Sequence, residues 1–146
     1  MKRFAFNLET VLEYRSRQED EAVREQAEAQ RYRLQKERAL ARTRDNLDNS
    51  LAGAPVGTNL AELLHTAVYH VHLNRVITRQ TGEAEAAARE WNLCRERTLV
   101  RHRDRLVLEM LKEKKHAEFM LETGRQEQKE NDEISLQLHV VRRGGQ

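Results

Sequence analysis

"LAGAPVGTNL", residues 51–60, contains Pro55, the only proline of the chain, and Gly53 and Gly57, two of its six glycines. On either side run long tracts of Glu, Arg, Gln, Ala and Leu. Between Leu8 and Leu51 there is neither glycine nor proline. The stretch is therefore read as a helix breaker between two long helices. Asn59, with Glu62 three residues on, has the spacing of a capping box and restarts the chain as a helix. Two helices joined by so short a link must lie antiparallel. The fold expected is all-α: a long antiparallel two-helix coiled coil, an αα-hairpin whose second helix is the longer.

Composition agrees. Of 146 residues, 34% are charged, 38% hydrophobic and 5% aromatic, which describes long helices better than a globular core. Twenty-six basic and 24 acidic residues nearly cancel, leaving a formal +2 and little reason to expect nucleic acid. Cys94, the single cysteine, cannot form an internal disulfide and suits a reducing compartment. "MKRFAF" is too soon followed by polar residues to serve as a signal peptide. The expectation is one hairpin over 1–146: helix one about 7–52, turn 53–58, helix two about 59–138 and a frayed tail 139–146.

In the first arm, Asn7 is the expected N-cap and Glu9 complements the helix dipole. Leu8, Val11, Leu12, Ala22, Ala29, Leu40, Leu47 and Leu51 mark one apolar stripe, interrupted by Arg15, Glu19 and Lys36. In the second arm, Leu60, Leu64, Ala67 and Val71 are expected to form the seam against it. Gly82 and Gly124 are its only interruptions, each costing about 1 kcal/mol against Ala. At about 1.5 Å per residue the arms span roughly 65 and 120 Å, and pairing outward from the turn sets Leu8 opposite about residue 102.

The rest of the second arm would then overhang. On it Leu106, Met110, Ala117, Met120 and Leu121 lie within about 100° of one another on a helical wheel. Three covers suit such a ribbon: the N-terminal residues or a bend at Gly124, a second copy, or another protein. The last is the expectation adopted. Tyr69, Leu73 and Val76, bordered by Leu40 and Leu47, form a second apolar patch on the face expected to meet water. It is either scattered surface residues or a docking site.

No arrangement points to catalysis. His65, His70 and His72 do not converge as metal ligands must. "RERTLVRHRDRL", 95–106, sets Arg97, Arg101 and Arg105 in one row, a solvated face or an acidic partner's contact, diluted by Glu96 and Asp104. Trp91 with Ala84, Ala87, Ala88 and Cys94 reads as packing. No phosphate loop, nucleophile–base pair or paired acidic site occurs, so neither enzyme activity nor a cofactor or metal is expected.

"FAFNLETVLEYRSRQEDEA", Phe4 to Ala22, resembles the opening of the flagellar export protein FliJ family. "KEKKHAEFMLETGRQEQKENDEI", Lys112 to Ile134, resembles that family's closing helix with its RxxQKExDE pattern. The resemblance implies a non-enzymatic, stalk-like coiled coil in the cytoplasm, held at the inner membrane only through partners. Those partners would be the flagellar export ATPase hexamer, the cytoplasmic part of the export gate and, in a further role, export chaperones. Carried to this chain, Leu8, Val11, Leu12, Arg15, Leu106, Met110, Ala117 and Leu121 would face the ATPase ring. Leu40, Leu47, Tyr69, Leu73 and Val76 would face the gate. Asn74, Thr78 and Gly82 make the expected seam more polar than the resemblance suggests. A generic cytoplasmic scaffold or tether is the competing reading.

Overall fold

The computed structural model describes residues 3–53 and 59–144, with side chains as far as residue 140. Pro55 and Gly57, the expected breakers, and the final two residues of the tail lie outside the described residues. Helix α1 spans Glu9–Ala52 and α2 spans Leu60–Gly144, with no strand among the described residues. The second helix is the longer, and the two pack as an antiparallel hairpin. Leu8, not Asn7, stands at the cap of α1: its carbonyl accepts the first helical bond, from Leu12 N at 2.9 Å. Asn59 does cap α2, its Oδ1 accepting from Ala61 N at 3.1 Å. Rather than ending near Leu138, α2 continues to Gly144.

The chain divides into two compact units, Gln18–Arg101 and Met1–Arg17 with His102–Gln146. In the first, the less exposed positions of α1 include a series at 22, 26, 29, 33, 36, 40, 43, 47 and 50. Those of α2 include a series at 70, 73, 77, 80, 84, 87, 91, 94, 98 and 101. Both series alternate steps of three and four, the heptad seam of a coiled coil. Cross-helix bonds mark the register. Ser50 Oγ lies 2.9 Å from His70 Nε2, Lys36 Nζ donates to Glu83 Oε2 at 2.9 Å, and Arg101 donates to Gln18 at 2.9 Å. Thr98 Oγ1 donates to the Ala22 carbonyl at 3.2 Å, an approach that the small Ala22 permits.

That register moves the seam from where the sequence puts it. Leu60, Leu64, Ala67 and Val71 are exposed, while Leu73 is 7% exposed against Leu40 at 8%. The reason lies at the turn. Ser50 meets His70, so the first turns of α2, from Leu60 to Tyr69, precede the cross-helix hydrogen bond nearest the turn. Symmetric pairing about residue 55 ignores those turns and rotates the wrong face inward. Asn74, Thr78 and Gly82 accordingly sit on the exposed side, and Asn74 and Thr78 bond back to the carbonyls of His70 and Asn74 in their own helix.

The core is thin: Ala22, Leu40, Leu73, Ala84, Ala87 and Cys94 are its buried apolar residues among those described. All six belong to the Gln18–Arg101 unit. Burying one leucine side chain contributes about 1.5–3 kcal/mol, so Leu40 and Leu73 carry much of this seam. The charged interruptions Arg15 and Lys36 stay at the seam because each has an acid across from it, Asp104 and Glu83.

Candidate functional site

The unit formed by 1–17 and 102–146 is built differently. Glu9 pairs with Lys112 at 2.7 Å and Arg15 with Asp104 at 3.2 Å. Arg105 pairs within its own helix with Glu109. Ion pairs this exposed contribute about 0–1 kcal/mol each. Ahead of the helix, Glu9 N bonds the Phe6 carbonyl at 3.1 Å, and the Phe4 ring meets His116 edge-on at 5.0 Å and Phe119 at 5.7 Å. Between residues 3–8 and the side chains of Leu111, Lys115 and Phe119 lies an open apolar cavity of about 590 Å³.

Leu8 therefore stands near Leu111 rather than opposite residue 102, and Leu106 to Phe119 is no overhang. The chain's own beginning covers only one side of α2. Met110 is 68% exposed and Leu121 66%, and Leu106, Val107, Ala117 and Met120 are exposed as well. Helical geometry sets this ribbon on the side away from Leu108, Lys112 and Phe119. The residues expected to face a ring thus fall into two groups. Leu12 and Arg15 are half-buried at the seam with Leu8 and Val11 at its edge, whereas Leu106, Met110, Ala117 and Leu121 face outward. The sequence reading missed the Phe4–Phe119 contact. Its signal was available: a lone phenylalanine in a charged helix needs an apolar partner, and few aromatics exist to supply one.

At the turn end the expected patch is corrected. Leu40 and Leu73 are buried in the seam, Leu47 and Val76 are half-buried, and Tyr69 flanks them partly exposed. The outward apolar surface is instead the face whose spacing predicts the seam. Leu64, Ala67, Val68, Val71, His72 and Arg75 line an open groove of about 440 Å³ there. Leu64 is 59% exposed and Val68 67%.

The charged and polar candidates resolve individually. Arg97 pairs with Glu25 at 3.7 Å, Arg101 donates to Gln18 and Arg105 pairs with Glu109, so the row is occupied within the molecule. His70 bonds Ser50, and no group of three or more metal-ligating side chains occurs among the described residues. Lys36 and Glu83 stabilise each other's charge through their hydrogen bond, raising the Lys36 pKa and lowering that of Glu83. Burial pushes the Cys94 thiol up, with Glu90 adding to the effect, so it is a packing group. Among the described residues no helix is long and apolar enough to cross a membrane.

Comparison with known proteins gives one result that covers nearly the whole chain. No curated protein and no solved structure matches it. The model of one family, described as the flagellar FliJ protein, matches residues 4–144. Both runs that carry the resemblance lie within that match, as do both helices. The chain therefore belongs to the FliJ family and is a flagellar export-associated protein.

Proposed function

We propose that this chain is a non-enzymatic, stalk-like coiled coil of the flagellar export apparatus, coupling the export ATPase hexamer to the cytoplasmic part of the export gate. One observation carries the reading. The unit holding both chain ends contains none of the buried core residues found among the described residues, yet displays Leu106, Val107, Met110, Met120 and Leu121. A surface of that kind is completed by a partner. An enclosing ring suits it, because a ring contacts the outward ribbon and the Leu8, Val11, Leu12 and Arg15 side together. Binding the assembled hexamer better than its free subunits would favour assembly without chemistry by the stalk.

The gate-facing surface is the turn end. Tyr69 and Val76 border it, and Leu64, Val68 and Val71 supply the exposed apolar area that Leu40, Leu47 and Leu73 spend largely on the seam. Escort of export chaperones belongs to the same reading, with residence in the cytoplasm and contact with the inner membrane only through partners. The test is ATPase stimulation. Met110→Glu with Leu121→Glu is expected to abolish stimulation of the purified export ATPase while helical content by circular dichroism stays unchanged. Stimulation undiminished by that pair would defeat the assignment.

A further inference from the structure

The side of α1 turned away from the seam carries Arg24, Arg31, Arg38 and Arg42. The first three repeat every seven residues, about 10.5 Å apart along the helix. All four are exposed and none has an acid partner among the described residues, although other basic groups nearby do. Between Arg24 and Arg42, Lys36 pairs with Glu83 and Arg33 with Glu37, and Arg33 also lies over Trp91. Two of the three carboxylates of that stretch are engaged, Glu25 with Arg97 and Glu37 with Arg33, and the third, Glu28, lines a groove beside Cys94. What remains is a file of cations with Gln35 and Ala39 between them, forming an open groove of about 360 Å³ lined by Arg31, Arg38 and Arg42.

We infer that this face docks an acidic helix of a partner protein, one presenting a carboxylate once per heptad. Three features of the file select that partner. Its spacing equals the distance between successive heptad positions on a second helix lying alongside. DNA phosphates recur about every 3.4 Å along each strand, and the file holds no aromatic side chain on which bases could stack. A lipid surface would need apolar side chains to enter the acyl boundary, and Gln35 and Ala39 supply none. Arginine's fork suits carboxylate pairing, and the short Ala39 leaves the floor of the groove open for it. The file shares no residue with the ribbon or with the turn-end groove.

The test uses the full-length chain and fluorescence anisotropy. The probe is a labelled alanine-rich helical peptide, about four heptads long, with one Glu per heptad. The control peptide has the same composition with its Glu residues clustered. The in-register peptide is expected to bind about tenfold more tightly than the control, and Arg31→Gln with Arg38→Gln and Arg42→Gln to remove about tenfold of its affinity. Arg89→Gln, an exposed arginine elsewhere on the same unit, should leave binding unchanged. Equal binding of the two peptides, equal loss in the Arg89 variant, or tighter binding of duplex DNA or phosphatidylserine vesicles would each overturn the proposal. Because the three side chains are solvent-exposed, circular dichroism should show the variant folded.

Discussion

The guanidinium of Arg33 lies 4.3 Å from the centre of the Trp91 ring, across the seam of the Gln18–Arg101 unit. On α2 this bulky layer stands between the small buried residues Ala84 and Ala87 on one side and Cys94 on the other. The contact explains how an arginine occupies a heptad position that normally takes leucine. Its charge rests on the ring face, and its stem covers apolar surface.

Arg33→Ala should therefore lower stability by about 0.5–2 kcal/mol. Trp91→Ala should cost more, about 3–5 kcal/mol, through lost volume. Thermal unfolding monitored by circular dichroism measures both. An Arg33 variant as stable as the parent would show the contact to be incidental.

Leu73→Ala and Leu64→Ala discriminate between the two faces of α2. With Leu73 buried and Leu64 exposed, the first should cost about 2–5 kcal/mol, and the second should stay within about 0.5 kcal/mol. The reverse order in a urea melt would restore the seam expected from symmetric pairing.

Register is checked chemically. A zero-length carbodiimide should join Glu9 to Lys112 and Lys36 to Glu83, each pair lying within 3 Å. Mass spectrometry of the digested monomer identifies the linked peptides. Links from Glu9 to residues near 102 would contradict the pairing.

The Lys36–Glu83 pair gives a pH dependence of defined sign. The folded Glu83 pKa lies below its ordinary value of 4.5, so its contribution is present above that pH and is lost as pH falls through the folded value. The folded Lys36 pKa lies above 10.5, so its contribution is present below that pH and is lost as pH rises further. Glu83→Gln should flatten the acid side of the stability profile and leave the neutral-to-alkaline shape up to about pH 10 unchanged.

Glycine replacement tests whether the interruptions of α2 matter. An added Cβ at Gly82 or Gly124 meets nothing within 4 Å. Each Gly→Ala change should therefore gain up to about 1 kcal/mol of helix stability. Loss of thermal stability in Gly82→Ala would reveal a contact that the open space around it does not suggest.

Local sequence determined the helices, the break between them and the antiparallel return. Those features come from short-range chemistry: long stretches free of Gly and Pro, a cluster of both at 53–57, and Asn59 at the cap of the second helix. The stripe of α1 was legible for the same reason, since Leu8, Leu12, Ala22, Ala29, Leu40 and Leu47 stand against a charged background. The face of α2 was not. Between Leu60 and Ile77 apolar residues occur on all sides of the helix, so periodicity fits several seams equally well. Tertiary structure made the choice. The offset between Ser50 and His70 is set by packing along the interface of the Gln18–Arg101 unit. That one offset buries Leu73 and exposes Leu64 and Val68. A slip along a helix also rotates it, so register and face are decided together by the two surfaces that must fit.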